Sequence, residues 1–405
     1  MYNFIIRIIF LLININCLFS KRYRLWLREQ KKIIKNTSQN SKKVIWIHCA
    51  SMGEYESIKP ILMELNNSQF EINITFFSPS GYNHFNDFHL IKKIYYLPID
   101  IKNQMDFFIK KINPIIVIVS QNDIWPNMIT ILKKNNIPVY CIGLKLNQKK
   151  INNYFIKYYY KKYLNMFSHI FCVDDLTYNF LNEKKISKST KINNIRFNQV
   201  LNELETSYRD DLLTKFLKQK TTIIYASIEK EDYPIIIDHI NSKSNMNHII
   251  VPHEIDFNTI KSFKKIIRKK NILYSNLKNG LFDTNIIIID VFGLLKKLYK
   301  FSTIAYVGGG FKNGVHNTLE PAAHGNTIVF GPNYKNFPET LFFIKQKIGF
   351  SIKNKEEFKH IFNKIILDKK QKKDIKKINL NYLNSGKQDI NHIINYINND
   401  LQINT

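Results

Sequence analysis

The residues best suited to bind an anion lie in one block, residues 306–323, which contains three consecutive glycines at 308–310. This block predicts a strand, a tight turn and the start of a helix, where free amides attract negative charge. Glu320, in the first turn of that helix, can accept hydrogen bonds from vicinal hydroxyls such as those of a ribose. A phosphate and a sugar diol together indicate a nucleotide, and the simpler alternative is a structural turn.

Two common nucleotide motifs do not match this block. A dinucleotide fingerprint that starts at Gly308 needs glycine where the chain has Asn313, and no acidic residue follows at the expected spacing. A P-loop needs Gly-Lys followed by Ser or Thr, and the sequence contains no such run. A nucleotide site here would therefore be of another type.

A second candidate group follows the apolar run 44–49, which ends in the small-residue turn of Ser51 and Gly53. Glu54 then opens a segment whose apolar residues recur at helical spacing. A glutamate there can simply complement the helix dipole, which stabilises a helix by about 0.3–1 kcal/mol. The alternative is that Glu54 removes a proton from an incoming hydroxyl group, as a general base does.

The elements that must position these residues alternate between short β-branched runs and helical patterns. This rhythm predicts an α/β fold of two doubly wound, Rossmann-like domains that face a cleft, with ligands at the carboxyl ends of the strands. Glu54 and the glycine block would lie on opposite sides of that cleft. The predicted strands are 44–49, 74–78, 115–120, 137–144, 169–173, 222–227, 248–251, 286–290, 303–307 and 327–330.

The predicted domains are an anchor helix at 1–20, an N-terminal Rossmann-like domain at 21–200, an interdomain segment at 201–220 and a C-terminal Rossmann-like domain at 221–405. The apolar start of the chain and its basic flank indicate a membrane anchor, and an ordinary buried helix is the alternative. The basic flank consists of Lys21, Arg22, Arg24, Arg28, Lys31 and Lys32.

The composition limits the partners. The 405 residues include 60 Lys and Arg against 32 Asp and Glu, and the net charge of +28 attracts polyanions or an anionic membrane. The lysines are scattered and no nucleic-acid-binding motif is present, so a nucleic acid partner is not expected. No cysteine pairing suggests a metal site or a disulfide, and the thiols of Cys17, Cys49, Cys141 and Cys172 are expected to be reduced.

Eight collinear motifs resemble the 3-deoxy-D-manno-octulosonic acid (Kdo) transferases, membrane-associated GT-B glycosyltransferases of lipopolysaccharide synthesis, especially their Bacteroidetes-like versions. The resemblance extends from the start of the chain to about residue 345. The motifs lie at residues 46–54, 76–82, 96–100, 125–127, 196–197, 252–254, 308–323 and 330–334.

The resemblance implies inverting transfer of Kdo from CMP-Kdo to a lipid A precursor, lipid IVA, at the cytoplasmic face of the inner membrane, without a cofactor or metal. Glu54 would be the catalytic base, and Asp123, where the family has glutamate, would be a second catalytic carboxylate. The domain at 21–200 would bind the acceptor and the domain at 221–405 the nucleotide sugar, with Arg196 stabilising the leaving CMP. For His253, the alternative to a nucleotide contact is an ordinary structural histidine after a strand. The implied substrate-binding set is Ser51, Gly53, Arg196, Ser227, His253, Gly309, Gly310, Phe311, His316, Asn317 and Glu320.

Two other functions are compatible with the same sequence. A GT-B enzyme can use a different nucleotide sugar, because the fold does not define the donor. The chain can also be a membrane-associated polyanion-binding protein without catalytic activity. Protein partners cannot be inferred from the sequence.

Overall fold

The computed structural model describes residues 2–19, 24, 27–28, 43–65, 69–83, 85–186, 188–205, 207–217, 220–242, 245–277, 283–367 and 371–403. The chain divides into two compact units. The first consists of Met1–Gln199 together with Lys387–Thr405, and the second consists of Val200–Gly386.

The first unit contains a seven-stranded sheet in which every strand pairing is parallel. Its strands are β1 (Lys43–Cys49), β2 (Phe70–Phe76), β3 (Lys93–Tyr96), β4 (Pro114–Ser120), β5 (Val139–Leu144), β6 (His169–Cys172) and β7 (Ser189–Lys191). Its helices include α1 (Tyr2–Phe19), α2 (Met52–Leu65), α3 (Pro79–Asn83), α4 (Lys102–Ile112), α5 (Pro126–Lys134), α6 (Gln148–Ile151), α7 (Tyr154–Leu164) and α8 (Asp175–Glu183), and α9 (Arg196–Glu205) crosses into the second unit.

The strand order of this sheet is β3-β2-β1-β4-β5-β6-β7. The order reverses between β1 and β4, and in doubly wound sheets ligands bind outside the carboxyl ends of the strands at such a reversal. The apolar strand residues are buried because helices cover both faces of a parallel sheet, and separate hydrophobic clusters lie on the two faces. The ends of β1 and β4 are therefore the candidate ligand site of this unit.

The second unit repeats this architecture with the parallel order β10-β11-β9-β8-β12-β13-β14, which reverses between β8 and β12. Its strands are β8 (Thr222–Ile228), β9 (Asn247–Pro252), β10 (Ile272–Leu273), β11 (Ile286–Ile288), β12 (Ile304–Val307), β13 (Thr327–Phe330) and β14 (Gly349–Ser351). Its helices are α10 (Asp211–Leu217), α11 (Tyr233–Asn241), α12 (Phe257–Ile266), α13 (Leu295–Leu298), α14 (Leu319–Ala323), α15 (Pro338–Lys345), α16 (Lys355–Leu367) and α17 (Gln371–Ser385), with 3-10 turns at Lys230–Asp232, Tyr274–Asn276 and Tyr299–Phe301.

The prediction of two doubly wound parallel-sheet domains is confirmed, and the ten predicted strands all overlap observed ones. The second strand was placed too late, because β2 ends at Phe76. Strands β3, β7, β10 and β14 were not predicted, because they are short and have too few residues to show a clear alternation.

Two domain boundaries differ from the sequence-based ones. Helix α18 (Ile390–Ile403) belongs to the first unit, where Ile393, Ile397 and Leu401 are buried in one of its hydrophobic clusters. The segment predicted as interdomain, 201–220, instead contributes α10 to the second unit, and Leu213 and Phe216 are buried in that unit's core. Both corrections follow from apolar helix faces that need a core to cover them.

The first helix, α1, lies against the first unit through one side and exposes apolar side chains on the other. Ile6 is buried in the first unit's core, whereas Phe4 and Leu11 are 70% and 62% exposed. In the part of the chain that the structure describes, no helix is long and apolar enough to cross a membrane. Arg24 and Arg28 of the basic flank are exposed. Its other members lie outside the described residues, and these are Lys21, Arg22, Lys31 and Lys32.

The three cysteines whose side chains are described agree with the expectation of reduced thiols. Cys49, Cys141 and Cys172 are free and buried. The side chain of Cys17 lies outside the described part of the chain.

Candidate active site

Glu54 lies in the first turn of α2, directly after the loop that ends β1. Its carboxylate turns back toward that strand, and Oε2 accepts a hydrogen bond of 2.6 Å from the Ala50 amide. Burial raises the pKa of Glu54 to about 7, and the Ala50 hydrogen bond offsets this only in part. Such a carboxyl group is about half ionised at neutral pH, which suits a general base.

Asp123 lies in the loop after β4 and is held by a histidine from β1. His48 is fully buried, with Nε2 at 2.8 Å from Asp123 Oδ2 and Nδ1 at 2.9 Å from Thr75 Oγ1. Thr75 in turn accepts a hydrogen bond of 2.9 Å from the Trp46 indole. A chain of hydrogen bonds therefore runs from the sheet interior to the Asp123 carboxylate and fixes its position.

The two carboxyl groups of this site have opposite pKa shifts. Burial acts to raise the pKa of Asp123, but the hydrogen bond and charge of His48, with a hydrogen bond from Trp125, together lower it below its usual value. At Glu54, burial is joined by the negative charge of Asp123, which raises the pKa further, whereas the Arg196 charge lowers it. A pair of carboxyl groups whose environments separate their pKa values is typical of acid–base chemistry.

The end of β4 also contacts the start of α2. Ser120 Oγ donates a hydrogen bond of 3.4 Å to the Glu54 carbonyl oxygen, and Gln121 has a left-handed φ of 57°. The Ser51 carbonyl oxygen accepts from the amides of Glu54 and Tyr55, each at 3.2 Å. The structure thus brings Ser51, Glu54 and Asp123 to the strand-order reversal of the first sheet.

Gly53 is exposed, and its surroundings do not themselves require glycine. A Cβ atom at this position would meet only Ser51 Oγ, at 3.9 Å. The residue leaves open space beside Glu54.

In the second unit, the glycines after β12 are required by close packing. A Cβ at Gly308 would lie 2.4 Å from the Ser227 carbonyl oxygen, and one at Gly310 would lie 2.6 Å from the Gly331 nitrogen. Gly309 has a φ of 83°, a conformation that side chains disfavour. The loop after β12 can therefore approach the ends of β8 and β13 only because it lacks side chains.

Asp232 joins the loops that follow β8 and β12. Its fully buried carboxylate accepts hydrogen bonds from the Tyr306 hydroxyl at 2.7 Å and from the Glu229 and Gly309 amides at 2.8 and 3.2 Å. The Gly309 amide is paired with Asp232 in this arrangement, and the expectation that the Gly309 and Gly310 backbone holds a phosphate stays a prediction.

A charged cluster lies beside the glycine loop. The Glu229 carboxylate contacts Lys312 Nζ at 2.9 Å and His316 Nε2 at 3.0 Å. His253 stacks on His316, with ring centroids 4.4 Å apart and planes 13° apart. Burial lowers the pKa of His316, the neighbouring His253 lowers it further, and Glu229 opposes both. The ligand atoms of Glu229, His253 and His316 lie within 4.8 Å of one another, close enough for a metal ion to bind all three. The Glu229 carboxylate, however, is already paired with Lys312.

The helix after the glycine loop begins later than predicted. His316 and Asn317 precede it, and α14 spans only the five residues Leu319–Ala323. The Asn317 side chain accepts from the Leu319 amide at 3.0 Å and donates to Glu320 Oε1 at 2.9 Å. Glu320 lies in the first turn, as expected. So short a helix has a small dipole, so an anion here depends more on side chains than on the helix.

Three predicted residues remain, two in the second unit and one in the first. Ser227 lies at a bulge near the end of β8, between Ala226 and Ile228, and has a φ of 50°, a strained conformation for serine. Phe311 is half-buried and packs against the core of the second unit. Arg196 is half-buried at the start of α9, and its amide donates to Asn194 Oδ1 at 3.1 Å.

Comparison with known proteins identifies the family of this chain. A family model for 3-deoxy-D-manno-octulosonic-acid transferase (kdotransferase) matches residues 24–199. A 3-deoxy-D-manno-octulosonic acid transferase of Haemophilus influenzae is 30% identical over 338 residues, which cover 79% of this chain and 78% of that protein. The chain belongs to the Kdo transferase family. The transferase of Aquifex aeolicus is 27% identical, and the match covers 83% of this chain and 90% of that one.

A longer relative includes the same region. The bifunctional glycosyltransferase/methyltransferase of Fusobacterium nucleatum is 28% identical over 364 residues, which cover 83% of this Kdo transferase. The match spans only 56% of the Fusobacterium protein, so its other functions do not transfer to this chain.

Solved structures confirm the GT-B-like fold of this Kdo transferase. The UDP-GlcNAc 2-epimerase of Neisseria meningitidis has a TM-score of 0.57 at 13% identity, covering 88% of this chain and 99% of that one. A glycosyltransferase of Rickettsia africae has a TM-score of 0.54 at 15% identity, covering 90% and 98%. At these identities, the likeness describes the architecture alone.

Sequence reasoning missed several members of the two sites. His48 lies in the motif at residues 46–54 but was given no role. A polar residue inside an apolar strand is a signal that could have indicated its hydrogen bond to another site residue. Glu229 and Lys312 carried no recognisable spacing, and Asp232 was noted only as part of an acidic pair after Ser227. Their contacts depend on how the loops after β8 and β12 meet.

Proposed function

We propose that this Kdo transferase moves Kdo from CMP-Kdo to a lipid A precursor, lipid IVA, with inversion at the anomeric carbon and with Glu54 as the general base. One observation carries the proposal. A carboxyl group with a pKa of about 7 lies beside the Asp123 carboxylate, whose pKa is lowered, at the strand-order reversal of the first sheet. This pair can accept a proton at neutral pH while keeping a fixed negative charge.

In the proposed step, the acceptor hydroxyl oxygen forms a bond to the anomeric carbon of Kdo while the bond from that carbon to the phosphate oxygen breaks. The hydroxyl proton passes to Glu54, and the bonding electrons leave with CMP. Asp123 orients the acceptor hydroxyl. It is one methylene shorter than the family's glutamate, and its 2.8 Å contact with His48 sets how far it reaches.

The second unit supplies the nucleotide site in this proposal. Lys312 and His316 contact the phosphate, and Asn317 and Glu320, which are paired at 2.9 Å, contact the ribose. Arg196 contributes positive charge for the departing CMP. Lys312, His316 and Arg196 can offset the negative charge on a leaving phosphate, so the proposed reaction includes no metal ion.

The acceptor places the proposed reaction at the cytoplasmic face of the inner membrane. The outward side of α1 exposes Phe4, Ile5, Leu11 and Leu12, and an amphipathic helix of this kind can lie in the membrane interface. The formal charge of +28 also attracts an anionic lipid surface. A bisphosphorylated lipid acceptor would be recruited by the same two features.

Donor choice tests the proposal directly. Purified protein is incubated with acceptor vesicles and with labelled CMP-Kdo or labelled UDP-sugars, and the lipid product is quantified. We expect product from CMP-Kdo only, whereas product from UDP-sugars alone would assign a different glycosyltransferase. If no donor gives product, the protein is a polyanion-binding protein, and vesicle binding without turnover would identify it as such.

The nucleotide site has its own test. Lys312→Met should weaken CMP binding about tenfold, because one charge-assisted contact to phosphate is lost. Lys355→Met is the matched control, since Lys355 is an equally exposed lysine of the second unit that pairs with Asp238 at 3.3 Å. Titration calorimetry with CMP measures both variants. Equal affinity in the two variants would remove Lys312 from the site.

A further inference from the structure

Two motif residues without a role in the proposed reaction, Asp100 and Asn127, form a buried network in the first unit. Asp100 is fully buried in the loop after β3, and its carboxylate accepts from the Asn127 amide at 2.8 Å and from the Met128 amide at 2.9 Å. The Asn127 side chain donates back to the Asp100 carbonyl oxygen at 2.5 Å. The two segments are therefore joined by three hydrogen bonds.

These bonds cap a helix that lacks a cap of its own. Trp125 precedes α5 and makes no side-chain cap hydrogen bond, and Pro126 at the first position has no N–H group. The next two amides, those of Asn127 and Met128, would remain unpaired without Asp100. Because Asp123 lies just before α5, whatever fixes the start of this helix also fixes the loop that carries Asp123.

The same carboxylate holds the beginning of α1. The Tyr2 hydroxyl donates to Asp100 Oδ2 at 2.8 Å, and Asn127 Nδ2 donates to Asn3 Oδ1 at 2.7 Å. The opposite side of α1 carries the exposed apolar residues described above. One buried acid therefore joins the exposed helix to the helix start beside Asp123.

A second contact supports the same loop. The Tyr159 hydroxyl of α7 donates to the Ile124 carbonyl oxygen at 2.9 Å, next to Asp123. Tyr2 of α1 and Tyr159 pack against the same hydrophobic cluster of the first unit. The Asp123 loop is thus held at Ile124 by Tyr159 and at the start of α5 by Asp100.

We propose that Asp100 is a positioning residue that links α1 to the Asp123 loop, so that the seating of α1 sets the affinity for the lipid acceptor. The inference rests on the proposed function, because it assumes that Asp123 orients the acceptor hydroxyl. Asp100 itself touches no substrate. When α1 lies on a membrane, its seating through Tyr2 and Asp100 orders the Asp123 carboxylate.

The test removes one hydroxyl at a time. Tyr2→Phe deletes the bond from α1 to Asp100, and Tyr160→Phe is the matched control, since Tyr160 packs against the same hydrophobic cluster. We expect Tyr2→Phe to raise the acceptor KM about three- to tenfold, with little change in the donor KM. Asp100→Asn should have the same effect to a larger extent, and Asp100→Glu should not match the unmodified protein, because one more methylene moves the carboxylate away from the Asn127 and Met128 amides.

A second readout does not depend on turnover. The chain has three tryptophans, and fluorine NMR of fluorotryptophan-labelled protein reports on Trp125 beside the loop and on Trp46 inside the sheet. Tyr2→Phe should shift or broaden the Trp125 resonance and leave the Trp46 resonance in place. Tyr160→Phe should change neither.

The outcomes separate this inference from the proposed function. If the unmodified protein makes no Kdo product, the proposed function fails. If it makes product and Tyr2→Phe matches Tyr160→Phe in acceptor KM and in the Trp125 resonance, the link from α1 to the loop is refuted. If donor and acceptor KM rise together, the effect is general and the positioning role is also refuted.

Discussion

Replacing Glu54 with glutamine should abolish most of the transferase activity while leaving the local structure in place. Glutamine keeps an oxygen that can accept the 2.6 Å hydrogen bond from the Ala50 amide, but it cannot take up the acceptor proton. A positioned general base contributes about 10²- to 10⁴-fold to the rate, so the barrier should rise by about 3–5 kcal/mol. Single-turnover transfer of labelled Kdo measures the chemical step without product release.

The pH dependence provides a sharper test of the same residue. With a pKa of about 7, Glu54 is about half ionised at pH 7 and only about one-tenth ionised at pH 6, so kcat/KM should fall about tenfold per pH unit in the acidic range. Asp123→Asn removes a negative neighbour and thereby favours the ionised form of Glu54. The acidic limb of the profile should then move to lower pH, whatever the absolute rate of the variant.

Three results would refute this reasoning. An acidic limb near 4.5, the ordinary value for glutamate, would mean that burial does not tune Glu54. Activity of Glu54→Gln within about threefold of the unmodified protein would mean that another group accepts the proton. An unshifted limb in Asp123→Asn would show that the two carboxyl groups are not coupled.

Three further predictions concern stability and the membrane. Gly308→Ala should destabilise the protein by about 1–3 kcal/mol in urea denaturation, because its Cβ would lie 2.4 Å from the Ser227 carbonyl oxygen; an unchanged midpoint would contradict this. Leu11→Ser should reduce the amount of protein that sediments with lipid vesicles several-fold. Leu367→Ser, at an 81% exposed position of the second unit, is the control and should not reduce it. Equal losses in the two variants would exclude α1 as the membrane contact. The raised pKa of Glu54 means that its stabilising contribution is complete below pH 4.5 and is lost as the pH rises through about 7. At pH 8, Glu54→Gln should therefore be more stable than the unmodified protein by up to roughly 3 kcal/mol. A lower melting temperature of the variant at that pH would contradict the sign.

The sequence was sufficient to predict the sheets and the location of Glu54. Parallel strands buried on both faces are continuous apolar runs, and a polar turn after such a run marks a strand end. The pairing of Glu54 with Asp123 follows from the strand order, since β1 and β4 are neighbours at the reversal. Local patterns give the strands, but only the full topology gives their order.

Other features depend on contacts that leave no local signal. The hydrogen bond between His48 and Asp123 joins strand β1 to the loop after β4, and the Gly309 amide is paired with Asp232 from another loop. The helix after the glycines was expected at His316, but the loop carbonyls of Gly308 and Gly309 accept from the His316 and Gly314 amides, which delays its start. Tertiary hydrogen bonds, rather than helix propensity, set that boundary.

The return of α18 to the first unit has a consequence for how the protein is made. Ile393, Ile397 and Leu401 fill a cluster with Ile58 and Ile61 of α2, so this core stays incomplete until the ribosome has synthesised α18. The second unit, formed by one continuous segment, can finish folding earlier. A nascent chain stalled before residue 387 should therefore expose apolar surface in its first half and need a chaperone to stay soluble.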